Sequence, residues 1–275
     1  MQKEIARRLM KKQWVQNLLQ EDRVREIFED WTILMLRQGL KPEGKARFDD
    51  FVNSIQKGEQ IALSSYIDMF IGFDFKSGIR GLENLVSLKG KPILLVANHP
   101  NNGPLAGDWK NIVISYYIQQ ELKQELRDLH GYDPTTIRDL FRMKGQKSTN
   151  SIPVRDPDPQ RSALLLRHAI KNRDSMRLYP EGDGDISLRR GLTDAGRLIA
   201  ICARNGMAIV TASARFQKDI FFVAFDRLDN EDIERSAQDG NDKYDKWQNI
   251  TDYTMGVIAK HLPANHRGYY SYITT

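Results

Sequence analysis

His99 stands directly after an apolar run, in Val96-Ala-Asn-His-Pro100, and Asp108 follows nine positions later. An imidazole whose tautomer is fixed by a carboxylate is the usual general base for taking a proton from a hydroxyl. A second stretch, Tyr179-Pro-Glu-Gly182, sets the carboxylate of Glu181 in a tight turn after Met176-Arg-Leu178. There Glu181 is expected to point where a substrate could sit. A third, Ile152-Pro-Val-Arg155, ends on an arginine, with Arg142, Lys144 and Lys147 shortly before it. A guanidinium is suited to bidentate phosphate binding. Each stretch also has a plainer reading. His99 could be a structural or surface histidine and Asp108 a helix cap only. Tyr179-Pro-Glu-Gly182 could be an ordinary strand-to-loop turn, and the basic run a solvated loop.

Such residues need strands and helices to position them. Pro92-Ile-Leu-Leu-Val-Ala97 is a continuous apolar run, as suits a strand buried on both faces. In α/β sheets the loops at the carboxyl ends of strands hold the site, and His99 falls in such a loop. The spacing predicts helices over Asp108–Leu126, Gln160–Lys171, Leu192–Asn205 and Asp242–His261. It predicts further strands over Ser151–Val154, Ser175–Tyr179, Ala208–Ala212 and Phe221–Phe225. This alternation indicates an α/β fold, a central and mostly parallel sheet flanked by helices.

Residues 1–85 read as an N-terminal helical region and 86–275 as the α/β domain. Val24, Ile27, Phe28, Trp31, Leu34 and Met35 repeat at helical spacing, with Gly39 as a stop. Met1–Gln20 sets Ile5, Leu9, Trp14 and Leu18 against Lys3, Arg7, Arg8, Lys11 and Lys12, an amphipathic basic helix. Such a helix either packs on its own domain or lies on anionic lipid. Tyr66–Phe75 is aromatic and apolar, suited to a core or to the wall of an acyl-chain site.

The 275 residues carry 41 Lys and Arg against 36 Asp and Glu, a net charge of +5, and 40% are hydrophobic. That balance is globular and points mildly to an anionic partner. The acids are dispersed among the bases and no basic run is interleaved with aromatics, which argues against nucleic acid. The longest charge-free window, Pro92–Gly107, is 16 residues and contains three asparagines, whereas a spanning helix needs about 20 apolar residues. Met1–Gln20 has charges throughout, unlike a signal peptide. The single cysteine, Cys202, allows no internal disulfide or Cys-rich zinc site and suits a reducing, cytoplasmic setting.

Taken in order, these stretches resemble the glycerolipid acyltransferase superfamily, which includes lysophosphatidic acid and glycerol-3-phosphate acyltransferases. The likeness covers residues 80–270 in outline. Gly81-Leu-Glu-Asn-Leu85 and Leu88-Lys-Gly-Lys-Pro-Ile-Leu-Leu-Val-Ala-Asn-His99 are similar to the lead-in and first block. Ile152-Pro-Val-Arg155 is similar to the second block and Leu178-Tyr-Pro-Glu-Gly182 to the third, with Leu192, Gly196, Leu198 and Ala200 in the following helix. Gly206-Met-Ala-Ile-Val-Thr211 looks like the fourth block. Ile258-Ala-Lys-His-Leu-Pro263 and Arg267-Gly-Tyr269 resemble the family's ending. Two features depart from the pattern. The family's aspartate comes five positions after the histidine, where this chain has Pro104, so Asp108 implies a four-residue insertion within Asn101–Gly107. The third block's Gly-Thr-Arg is replaced by Gly182-Asp-Gly-Asp185, leaving Arg189 or Arg190 to supply the charge.

The resemblance implies transfer of a fatty acyl group from an acyl thioester, acyl-CoA or acyl-ACP, to the hydroxyl of a glycerol-phosphate-type or lysophospholipid acceptor. It implies His99 as base, Asp108 as its orienter, and Arg155, Lys144, Glu181 and Gly182 around the acceptor and its phosphate. Backbone N–H groups near Gly103–Gly107 are candidates to hold the oxyanion. No metal or redox cofactor is implied, and the protein is expected to sit peripherally on an anionic membrane surface. Two alternatives stay open: a lipid-binding protein of the same fold with altered catalysis, and an acyltransferase for an aminolipid.

Overall fold

The computed structural model describes residues 37, 42–59, 76–99, 107–130, 151–154, 159–182, 186–217 and 220–274. The chain divides into two compact units, 1–73 with 130–162, and 74–129 with 163–275. In the first unit, α1 (Pro42–Gln56) buries Phe48, Phe51, Val52 and Ile55, which lie at helical spacing on one stripe. Arg37 grips Asp49 with two bonds, from Nε at 2.7 Å and Nη2 at 2.8 Å. The basic helix at Met1–Gln20, the apolar repeat from Val24 to Met35 and the stretch Tyr66–Phe75 lie outside the described residues.

The sheet of the second unit has six strands. They are β1 (Lys76–Arg80), β2 (Ile93–Ala97), β3 (Arg127–His130), β5 (Met176–Leu178), β6 (Ala208–Gln217) and β7 (Ile220–Leu228), in the spatial order β1-β7-β6-β2-β5-β3. In the first unit, β4 (Ile152–Pro153) is two residues long. All five residues of β2 are buried, as a strand in the middle of a covered sheet requires. Of the five described pairings, four are parallel and the one between β6 and β7 is antiparallel. Only two residues separate those two strands, and so short a connection can join only antiparallel neighbours.

Helices cover both faces. Leu95, Arg177 and Val210 are in register, so their side chains share one face. Helix α2 (Gly107–Leu122) lies there, where Ser115 meets Arg177. Ser213, an odd number of positions from Val210, faces the other way and donates to the Ile258 carbonyl of α6 (Lys243–Lys260) at 2.8 Å. Helix α3 (Pro159–Asn172) precedes β5, α4 (Thr193–Arg204) precedes β6, and α5 (Asn230–Ser236) follows β7. α4 packs closely on α6: a Cβ on Gly196 would sit 1.9 Å from the Trp247 carbonyl oxygen.

Two segments differ from the sequence expectation. Lys76–Arg80, within the stretch read as helical, is a strand on β7. Gly78 permits it, because a Cβ there would come within 2.7 Å of the Phe222 ring. The helix expected to reach Leu126 ends at Leu122, Lys123 takes a left-handed φ of 54°, and Arg127 opens β3. β3 was hidden by its polar sequence, whose Arg127 and Asp128 are satisfied by Asp174 and Arg177. Among the described residues, no helix is long and apolar enough to cross a membrane.

Candidate active site

The parallel register of β2 and β5 brings the two principal sequence motifs together. Val96 lies opposite Leu178, so His99 and Glu181 each come three residues past a paired position. Glu181 is 7% exposed and its carboxylate accepts two backbone N–H groups: His99 at 3.0 Å on Oε2 and Arg189 at 2.8 Å on Oε1. Burial raises this carboxyl from 4.5 to about 7, against the pull of both amides and of the positive neighbours. Glu181 therefore acts as a clamp on the chain that carries His99.

The residue before His99 is pinned as firmly. The Asn98 side chain donates to the Ala214 carbonyl at 2.9 Å and accepts from the Ala214 amide at 2.7 Å. Its carboxamide imitates one more peptide unit and extends the β2–β6 ladder beyond Ala97. His99 leaves the sheet from a fixed point.

The His99 ring meets the Tyr179 ring edge-on, centroids 5.1 Å apart and planes at 76°. On the same side, the Arg177 guanidinium carbon lies 5.3 Å from the Tyr179 centroid. Arg177 is buried, bonded to Asp128 from Nε at 3.1 Å and Nη2 at 2.9 Å, and donates from Nη1 to Ser115.

The chain after Glu181 is held by the C-terminal segment. Leu188 N–H donates to the His266 carbonyl at 3.0 Å, and Tyr269 N–H to the Leu188 carbonyl at 3.0 Å. Gly268, at φ 50°, permits this approach, because a Cβ there would lie 2.1 Å from the Leu188 oxygen. Gly191 N–H donates to the Tyr270 hydroxyl at 3.0 Å, and that hydroxyl donates to Asp252 at 2.7 Å.

Of the residues singled out in the sequence, His99 and Glu181 meet. Gly182 closes the turn, donating to the Tyr179 carbonyl at 3.1 Å with a left-handed φ of 71°. Asp108 falls in the first turn of α2, and its side chain lies outside the described ones, as do Arg155, Lys144 and residues 101–106. Of the two arginines offered for the missing third-block charge, the structure engages the side chain of Arg190 and the backbone of Arg189. Arg190 pairs with Asp252 at 3.2 Å and stacks over Tyr269, and the Arg189 amide belongs to the Glu181 clamp. Asn98, Arg177 and Tyr270 were missed. Arg177 had left a signal, a charge between the apolar Met176 and Leu178 of a strand. Among the described residues, no three His, Cys, Asp or Glu side chains converge as a metal site requires. No family model matches this chain, and no curated protein matches it.

Proposed function

We propose that this protein is an acyltransferase in which His99 is the general base. The observation that carries the reading is the Glu181 clamp, which holds His99 at the carboxyl edge of β2, where α/β sheets work on their ligands. The position of Asp108 supports it. α2 returns antiparallel to the strands, as the crossover between parallel β2 and β3 demands. Position 108 is seven residues before Ser115, about two turns, so both occupy one helix face about 10 Å apart along the axis. Ser115 meets Arg177, which lies two residues before Tyr179, where the turn that holds Glu181 begins. Position 108 thus lies in the first turn of the helix that covers the Leu95 and Arg177 face, toward the edge where β2 and β5 leave the sheet.

His99 takes the proton of the acceptor hydroxyl as its oxygen attacks the thioester carbonyl carbon. The tetrahedral intermediate collapses by breaking the carbon–sulfur bond, and the imidazolium returns the proton to the departing thiolate. Asp108 orients the ring and balances its charge. Arg155, Lys144 and Gly182 at the acceptor and its phosphate, the acyl-CoA or acyl-ACP donor, and a peripheral seat on anionic membrane rest on the sequence resemblance. The test is acyl transfer from long-chain acyl-CoA and acyl-ACP to glycerol phosphate, lysophospholipid and aminolipid acceptors. Turnover by the wild type and none by a folded His99→Ala is the expected result. Wild-type activity in His99→Ala, or no turnover with any pair, refutes the reading.

A further inference from the structure

We propose that Tyr179 and Arg177 are positioning residues that fix the plane of the His99 ring, an inference that rests on His99 being the base. The three side chains lie on one sheet face in a short row: guanidinium, phenol ring, imidazole. Alternation along β5 puts residues 177 and 179 on the same face, and the parallel register puts His99 there too. The edge-on contact at 76° fixes which way the imidazole lies only if the Tyr179 ring itself is fixed.

Arg177 supplies that fixity. Its guanidinium is held by both Asp128 oxygens and by Ser115, so β3 and α2 together lock its plane. A buried ion pair is a poor source of net stability, since desolvating both charges consumes most of the attraction. Its place under the ring that meets His99 is better explained by what it orients. Arginine suits the task because its planar fork bonds Asp128 twice while its face stays against the phenol ring. A general base must meet the acceptor hydroxyl in a narrow range of angles, so a tilted imidazole loses rate while both substrates still bind.

The test uses Tyr179→Leu, Tyr179→Phe and Arg177→Lys beside His99→Ala. Each is read by kcat, by KM for donor and acceptor, by melting temperature, and by the ring-current shift of the His99 Cε1–H signal. Tyr179→Leu should lower kcat by about 10- to 100-fold with both KM values nearly unchanged, and should erase the ring-current shift. Tyr179→Phe keeps the ring and should restore kcat and the shift. Arg177→Lys keeps the charge, loses the fork, and should fall between them. Wild-type kcat in Tyr179→Leu overturns the proposal, as does a Tyr179→Phe protein no better than Tyr179→Leu. An unmoved His99 signal in Tyr179→Leu overturns it whatever the rates. Activity surviving in His99→Ala sinks the base reading itself, and that outcome is seen without any Tyr179 variant.

Discussion

Two carboxylates, Glu181 and Asp252, hold the stretch Arg189–Gly191 by different chemistry. Glu181 accepts only backbone N–H groups in the described contacts, from Arg189 on one oxygen and His99 on the other. Asp252 works through side chains. It takes the Tyr270 hydroxyl at 2.7 Å, Gln248 Nε2 at 3.0 Å and Arg190 at 3.2 Å, and the first two also bond Gly191. The difference lies in counter-charge. Arg190 pairs directly with Asp252, whereas Glu181 has two amides and only more distant positive neighbours, which do not offset the cost of burial, and its carboxyl rises to about 7. One anchor is thus coupled to pH at the point where it touches His99. The other stiffens the far side of the same stretch, through a phenol that burial, and then Asp252, raise well above its ordinary range.

The largest effect that separates them is removal of the pH-coupled anchor. Glu181→Ala leaves two amides without their acceptor, at about 1–3 kcal/mol each, and should unfold in urea with a loss of about 2–6 kcal/mol. A loss below about 0.5 kcal/mol would mean the clamp carries no weight. Next is the pH profile of stability. Folded Glu181 keeps its proton up to about 7, and the unfolded group loses it near 4.5. Between those values the unfolded chain binds fewer protons, so stability falls as pH rises through the window, on the order of 3 kcal/mol in all. Glu181→Gln should flatten that slope in denaturation midpoints taken from pH 4.5 to 8. Tyr270→Phe removes the link between Gly191 and Asp252 and should cost about 1–2 kcal/mol, with no new pH dependence over the same range. A slope change as large as that of Glu181→Gln would show that the two anchors are not distinct. The smallest effect belongs to Arg190→Gln. Its side chain is 51% exposed, and exposed pairs contribute about 0–1 kcal/mol, so its melting temperature should barely move.

The same contrast explains what was readable beforehand. β2 announces itself by five consecutive apolar residues, and Tyr179-Pro-Glu-Gly182 by its turn residues, because both signals are local. Glu181 was found, but its partner was not. The bond joins residues 82 positions apart, and nothing near either names the other. Asn98 is harder still, since an asparagine in a loop looks like any turn residue until Ala214, 116 positions away, lies beside it. β3 failed for another reason. Arg127 and Asp128 are polar in sequence, and they suit a strand only because Asp174 and Arg177 answer them. The strand at Lys76–Arg80 depends on Phe222 filling the space that Gly78 leaves, again a contact invisible locally.

The most direct test of the Glu181 clamp is a pH titration of backbone amide signals in the folded protein. The His99 and Arg189 N–H protons should lie downfield, as amides bonded to a carboxylate do, and should move together with a midpoint near 7. In Glu181→Gln that shared transition should vanish from both. Arg189 is the cleaner probe, because it has no imidazole of its own. An Arg189 amide that ignores pH between 5 and 8, or one that still titrates after Glu181→Gln, would contradict the account.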